Sequence, residues 1–245
     1  MQPLKQLYRR DYEGEEVTTN LVHQGQDWVK TTEFVPNQIA NMQVSNRALI
    51  LGNGETRLGI DMQLIANHRA GLRGSNRLQT YGCNALYRDY APDFLIATGD
   101  RIVNEIVSSG YADDNVVYAN GWAIATYPNK FYLIPQDPAY NAGAIATYLA
   151  CFDGHKKIFL LGFDGNDTPN YNYNVYADTP AYPARRQTVT EDFWTKAMSQ
   201  VFKTYPDVDF VRVAPTARFR MPEEWKYFTN LRQIDFRQFV MEADL

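Results

Sequence analysis

The chain has 245 residues, with 24 Lys or Arg against 28 Asp or Glu, and therefore a formal net charge of −4. No run of basic residues is longer than two, which argues against duplex nucleic acid as a partner, because such binding depends on neutralising many phosphates. The length suits one large α/β domain with elaborations, and the 45% apolar content suffices for a substantial core.

The composition also argues against a membrane span, a disulfide scaffold and a metal centre. No apolar stretch approaches the ~20 residues of a bilayer span, and the first residues lack the apolar segment of a signal peptide, so we expect a cytoplasmic protein. Two cysteines, Cys83 and Cys151, predict reduced thiols. The histidines His23, His68 and His155 have no metal-ligand spacing, so no metal site is predicted.

Residues 1–46 are predicted to form an N-terminal elaboration, and a Rossmann-like nucleotide-binding domain is predicted over residues 47–245. The N-terminal part is polar and contains no catalytic pattern, and polar and apolar residues alternate in parts of it, as between Glu16 and Thr19. It is interpreted as short strands or as a contact within a homo-oligomer.

From Arg47 onwards, apolar runs typical of strands alternate with segments of helical spacing. The predicted strands are Ala48–Leu51, Arg77–Tyr81, Pro92–Thr98, Asn115–Ala119, Phe131–Ile134, Lys157–Leu161 and Asp209–Val213. The predicted helices are Asp61–His68, Arg101–Ser108, Asn141–Phe152 and Glu191–Tyr205. This alternation predicts an α/β fold with a mostly parallel, Rossmann-like sheet and helices on both faces.

The stretch 166–187 interrupts that alternation with prolines, asparagines and several tyrosines. A long irregular loop in a compact domain is usually functional or disordered, and its aromatic content argues against disorder. We therefore predict a lid-like loop that orders over a bound ligand. Within it, Arg185 and Arg186 are either a phosphate clamp or a solvated pair.

Polar turns that contain glycine follow four of the predicted strands. They are Gly52-Asn53-Gly54, Gly82-Cys83-Asn84, Gly99-Asp100 and Gly162-Phe163-Asp164-Gly165. The carboxyl ends of parallel strands meet at one edge, where ligands bind in doubly wound folds. A ligand site is therefore predicted there, against the alternative of ordinary tight turns. Asn141 adds a helix start whose amides suit an anion, or acts only as its N-cap.

Five short motifs in a fixed order carry a family resemblance. They are Leu-Gly-Asn-Gly (51–54), Gly-Cys-Asn (82–84), Ala-Thr-Gly-Asp (97–100), Asn-Ala-Gly (141–143) and Lys-Lys-Ile-Phe-Leu-Leu-Gly-Phe-Asp (156–164). This set resembles the bacterial sialyltransferases that use CMP-sialic acid, and also their relatives, the motility accessory factors and the archaeal hydroxymethylpterin diphosphokinases. The resemblance covers roughly residues 47–180, and no single motif is specific on its own.

The resemblance implies a set of ligand contacts at the predicted edge. The implied nucleotide-sugar contacts are Gly52, Asn53, Gly54, Asn84, Asn141 and Gly143. By the same analogy a tyrosine after the last motif binds the donor phosphate, and the implied candidates are Tyr171, Tyr173 and Tyr176.

The chain also departs from the family pattern. Glu55 and Thr56 stand where family members usually have Pro-Ser, and no histidine follows His155 to serve as the general base. His155 itself is interpreted as a surface turn residue. A carboxylate can replace the histidine, and Asp100 and Asp164 are the predicted catalytic residues because each ends a strand beside a glycine. The alternative is that both cap a turn or helix.

Three functions follow from this pattern. The first is glycosyl transfer from a nucleotide sugar to an unknown hydroxyl acceptor, which needs no cofactor beyond the donor substrate. The second is diphosphate transfer from ATP, with Mg²⁺ held by Asp100 and Asp164. The third is a nucleotide-binding protein without catalysis, which the departures in sequence favour.

Overall fold

Two separate β-sheets are present in the computed structural model. The structure describes residues 4–6, 17–24, 27–34, 45–69, 77–128, 130–135, 138–164, 174–182, 191–215 and 219–245. The first sheet is antiparallel and has three strands, β1 (Leu4–Gln6), β2 (Val17–Gln24) and β3 (Asp27–Phe34). These strands agree with one of the two alternatives given for the residues before 47, and the division into an elaboration and a domain stays a prediction.

The second sheet has eight strands, and every pairing in it is parallel. Its strands are β4 (Arg47–Leu51), β5 (Gln79–Cys83), β6 (Phe94–Ala97), β7 (Val117–Ala119), β8 (Tyr132–Leu133), β9 (Lys157–Leu161), β10 (Asp209–Val213) and β11 (Leu231–Ile234). Their spatial order is β11-β10-β9-β4-β5-β6-β7-β8. The predicted α/β, Rossmann-like fold class is confirmed by this arrangement.

The sheet is buried on both faces, and the central strand β4 is apolar at four of its five positions. In β4, Leu49 and Leu51 join one core cluster, while Ala48 and Ile50 join the other. All four are completely buried. Continuous apolar runs of this kind are typical of parallel strands that are covered on both sides.

Seven α-helices lie among the described residues, and they cover both faces of the sheet. They are α1 (Met62–Asn67), α2 (Asp100–Ser108), α3 (Tyr111–Asp114), α4 (Gly121–Thr126), α5 (Ala142–Phe152), α6 (Glu191–Thr204) and α7 (Phe236–Ala243). Side chains of α5 and α6 belong to one core cluster, and those of α1, α2 and α7 to the other. None of the described helices has the length and apolar character needed to cross a membrane.

Several elements of this fold differ from the sequence prediction. Strand β5 begins and ends two residues later than predicted, so Gly82 and Cys83 lie inside it and Asn84 follows it. Helices α3, α4 and α7 were not predicted. Strand β11 was also missed, because it is an edge strand in which only Leu231 and Ile234 are buried.

The chain reverses its direction of travel across the sheet between β4 and β9. From β4 it proceeds outward through β5, β6, β7 and β8, and it then returns to the other side of β4 with β9, β10 and β11. Ligands in open α/β sheets bind at the carboxyl ends of the strands at such a reversal. A ligand site is therefore expected at the turns that follow β4 and β9.

A charge network at the amino end of the sheet predicts a pH dependence of stability. Glu242 on α7 accepts from Arg232 through both of its oxygens, at 2.8 and 2.6 Å, and from Lys157 at 2.7 Å. Hydrogen bonds from Arg232, and then from Lys157, lower the pKa of Glu242 to about 2. Because this pKa is below the unfolded value, the carboxylate stabilises the folded state above ~pH 4.5 and loses that contribution as the pH falls towards 2.

We therefore expect Glu242→Gln to make the stability of the protein fall less steeply between pH 5 and pH 3. Urea unfolding of both proteins at several pH values measures this slope. The matched control is Glu223→Gln, which removes the same charge from the exposed i,i+3 pair of Glu223 with Lys226. Equal slopes for the wild type and Glu242→Gln would contradict the expectation.

Candidate functional site

The turns after β4 and β9 are in direct contact at the carboxyl edge of the sheet. The backbone N–H of Gly54 donates to the carbonyl of Gly162 at 3.0 Å, and that of Gly52 donates to the carbonyl of Leu161 at 2.8 Å. A Cβ on Gly52 would lie 2.4 Å from the oxygen of Gly162. The glycines therefore allow two backbones to approach more closely than any side chain permits.

Asp164 holds these two turns together with its carboxylate. One oxygen accepts from the backbone N–H of Thr56 at 3.0 Å, and the other accepts from the Thr56 hydroxyl. The Thr56 hydroxyl oxygen in turn accepts from the N–H of Gly162 at 3.1 Å. Burial raises the pKa of Asp164, against the opposing effects of the Thr56 hydrogen bonds and the charge of Arg212.

The start of α5 reaches the same place through the ring of Phe163. A Cβ on Gly143 would lie 3.1 Å from this ring, and a Cβ on Gly52 would lie 3.3 Å from it. Asn141 is the N-cap of α5, and its side-chain oxygen accepts from the N–H of Ala144 at 3.0 Å. Gly52, Gly143 and the Asn141 turn are thus brought together by one aromatic side chain.

Two amide atoms at this edge are buried without a hydrogen-bond partner among the described residues. They are the side-chain oxygen of Asn53 and the side-chain nitrogen of Asn141. Burying a polar atom without a hydrogen bond costs about 1–3 kcal/mol. One of these atoms is an acceptor and the other a donor, and they lie beside the glycine turns and the start of a helix. Such an arrangement is typical of a site in which a polar ligand supplies the missing hydrogen bonds.

The other predicted residues at this edge follow β5 and β6. Asn84 has a left-handed backbone with φ of 49° and accepts from the N–H of Thr98 at 3.3 Å. Asp100 is exposed at the first turn of α2. Asp164 follows β9 and Asp100 follows β6, and β4 and β5 lie between these two strands. The structure therefore does not place the two predicted catalytic carboxylates side by side.

Tyr176 lies in the described middle part of the predicted lid, residues 174–182. Its hydroxyl accepts from Arg57 Nη2 at 2.9 Å and donates to Asp89 Oδ2 at 2.6 Å. Burial, followed by the hydrogen bond to Asp89, raises the pKa of the Tyr176 hydroxyl. The hydroxyl is thus engaged by protein groups, and its predicted contact with phosphate stays a prediction.

Several structurally important residues at this edge were missed from the sequence. They are Thr56, Arg57, Asp89 and Phe163. Thr56 and Phe163 lie inside or beside the glycine motifs, so their position was a usable signal. Arg57 and Asp89 gave none, because 31 intervening residues separate them in the sequence. Tyr171, Tyr173, Arg185 and Arg186 lie outside the described residues.

The prediction that His155 lies at the surface is wrong. His155 is completely buried, and its Nε2 lies 3.0 Å from the hydroxyl of Tyr81, which also donates to Asp153. This cluster precedes β9 and is therefore at the amino end of the sheet, away from the glycine turns.

Burial raises the pKa of the Cys83 thiol to about 12, so the thiol stays protonated.

The comparisons with known proteins match this chain to solved structures of sialyltransferases. No family model and no curated protein matches the chain. The monofunctional α-2,3-sialyltransferase Cst-I from Campylobacter jejuni is 11% identical, with 80% of this chain and 83% of that chain covered and a TM-score of 0.46. The sialyltransferase CstII from Campylobacter jejuni, in complex with cytidine-5'-monophosphate, is 13% identical, with 81% and 97% covered and a TM-score of 0.44. The fold class rests on the strand order described above.

Proposed function

We propose that the carboxyl edge between β4 and β9 binds a nucleotide, and that the protein transfers a sugar from a nucleotide-sugar donor to a hydroxyl acceptor. The buried, unpartnered amide atoms of Asn53 and Asn141 are the observation that carries the proposal. They flank the contact between two glycine turns at the topological reversal of the sheet, where nucleotides bind in doubly wound folds. The choice of a sugar nucleotide follows the ordered motif resemblance described above.

In this proposal the start of α5 receives the anionic part of the donor. The helix has eleven residues, so its free N–H groups and its dipole favour a negative charge at this end. The side-chain nitrogen of Asn141 would donate to the same group. Gly143 lets the start of the helix approach the ring of Phe163, because a Cβ there would lie 3.1 Å from this ring, closer than an ordinary van der Waals contact.

The two predicted catalytic carboxylates have different places in the proposal. Both oxygens of Asp164 accept hydrogen bonds from Thr56, which suits a residue that shapes the site. Asp100 is exposed at the same edge, so it is the carboxylate that can accept a proton from an acceptor hydroxyl. Asp100 is therefore our candidate for the general base.

The Mg²⁺-dependent alternative receives no support from the arrangement of these carboxylates. Magnesium is usually held by one or two carboxylates together with substrate phosphates. Asp164 already uses both oxygens within the fold, and Asp100 follows a strand that is not adjacent to β9. No group of three or more His, Cys, Asp or Glu side chains suited to a metal ion occurs among the described residues.

The proposal is tested by thermal unfolding with CMP, UDP, GDP, ADP and ATP compounds, each with and without Mg²⁺. A ligand that binds only the folded state stabilises it by about 2.7 kcal/mol at a concentration of ~100 Kd. We expect metal-independent stabilisation by CMP or by a nucleotide sugar. Stabilisation by ATP compounds only with Mg²⁺ would favour the diphosphokinase, and no response to any nucleotide would contradict the proposal.

Asn141→Asp separates ligand binding from helix capping. Asp caps helices as well as Asn does, so we expect an unchanged or slightly higher melting temperature without ligand. The change removes the donor nitrogen and adds a negative charge at the anion site, so we expect nucleotide affinity to fall at least tenfold. The control is Asn46→Asp, which adds the same charge immediately before β4, at the amino end of the sheet. Equal nucleotide affinity of Asn141→Asp and wild type would contradict this role.

A further inference from the structure

The segment 174–182 is attached to the glycine turn after β4 by its backbone. The N–H of Val175 donates to the carbonyl of Asn53 at 2.8 Å, and Asn174 forms an antiparallel bridge with Gly54. Within the segment, the N–H of Tyr176 donates to the Asn174 side chain at 2.9 Å. The segment therefore lies directly beside Asn53, whose side-chain oxygen is buried without a hydrogen-bond partner among the described residues.

The second attachment of this segment is the side chain of Tyr176. Tyr176 is 6% exposed, and its hydroxyl accepts from Arg57 and donates to Asp89. The Cζ of Arg57 lies 5.2 Å from the ring centroid and that of Arg88 lies 5.5 Å from it. Two guanidinium groups and one carboxylate thus converge on a single tyrosine.

The two arginines have different surroundings, since Arg57 is buried and Arg88 is bound by other parts of the fold. Arg57 belongs to the 3₁₀ turn after the glycines, and its side chain is 3% exposed. Arg88 donates to both oxygens of Glu105 on α2 at 2.6 Å, and to the hydroxyl of Thr179 at 3.1 Å. A buried guanidinium that loses its partners is strongly destabilising, so Arg57 and Tyr176 hold each other in place.

We propose that the Arg57–Tyr176–Asp89 cluster fixes segment 174–182 as one wall of the ligand site, with Tyr176 as a positioning residue that acts through this segment. Only the statement that this wall borders a nucleotide site rests on the proposed function. The attachment of segment 174–182 by this cluster, called the anchor below, is a property of the protein without ligand. It gives Tyr176 a role that differs from the phosphate contact implied by the family resemblance.

The anchor is tested by hydrogen exchange on the protein without ligand. Tyr176→Phe keeps the ring and removes both hydroxyl bonds, so we expect the amides of Val175, Ala177 and Tyr182 to exchange at least about tenfold faster. The amides of β9 should be unaffected. The matched control is Tyr127→Phe, which removes a hydroxyl bond to Asn104 on α2 and should leave 174–182 unchanged.

Asp89→Ala is the second variant, because the Asp89 side chain is 55% exposed and its removal should not prevent folding. We expect the same local loosening as in Tyr176→Phe. The affinity for CMP, measured by calorimetry, should fall about tenfold in both variants, because the wall must then be ordered when the ligand binds.

Each outcome decides a different part of the inference. Unchanged exchange of 174–182 in both variants would overturn the anchor. Faster exchange with unchanged CMP affinity would overturn the wall. Weaker CMP binding in Tyr176→Phe with unchanged exchange would mean that Tyr176 contacts the ligand itself. If the wild type binds no nucleotide, the proposed function and the wall fail together, while the exchange result still decides the anchor.

Discussion

Gly162→Ala is expected to lower the free energy of unfolding by about 3 kcal/mol or more. Gly162 has a φ of +81°, a left-handed conformation that costs about 1–2 kcal/mol for a residue with a Cβ. The added carbon would also lie 2.7 Å from the carbonyl oxygen of Gly52 and 3.2 Å from the nitrogen of Gly54. These are backbone atoms of the neighbouring turn and cannot rotate away, and overpacking of this kind typically costs a further 1–3 kcal/mol.

Gly154→Ala is the matched control, since Gly154 has a φ of +93° and no atom within 4 Å of an added Cβ. Its free energy of unfolding should fall only by the cost of the left-handed conformation, about 1–2 kcal/mol. Urea unfolding of the three proteins measures both losses. The difference between the two variants reports how closely the turns after β4 and β9 approach each other, and equal losses would contradict the contact.

Asp164→Ala is expected to have an effect of similar size, about 3 kcal/mol, because it leaves the N–H and hydroxyl of Thr56 without their acceptor. Asp164→Asn should lower the free energy of unfolding by less, about 1–2 kcal/mol. An amide supplies one acceptor oxygen, whereas the structure uses both oxygens of the carboxylate. The free energy of unfolding from urea titration measures both effects.

The control for Asp164 is the other predicted catalytic residue. Asp100 is exposed, so Asp100→Asn should change stability by no more than ~0.5 kcal/mol. If Asp100 is the general base, this variant should lose about two orders of magnitude in turnover while it stays folded. A stable Asp164→Asn protein with the same loss of turnover would instead assign the catalytic role to Asp164.

Much of the sheet could be predicted from the chain because its strands are buried on both faces. Lys157–Leu161 and Asp209–Val213 have the predicted bounds, since each begins at a charged residue that is followed directly by apolar residues. The N-cap role was one of the two alternatives predicted for Asn141, and the structure shows it, because this side chain acts within one turn of helix. Strand β11 was missed, because an edge strand buries fewer of its side chains and lacks that pattern.

The sequence by itself determined the parallel sheet and the glycine turns at its carboxyl edge, because apolar periodicity and the need for glycine are local properties of the chain. Only the tertiary structure decided which turns touch. The contact of Gly54 with Gly162, and the three groups that meet at Tyr176, depend on the order of strands. That order is set by burial across the whole sheet, and no short stretch of residues encodes it.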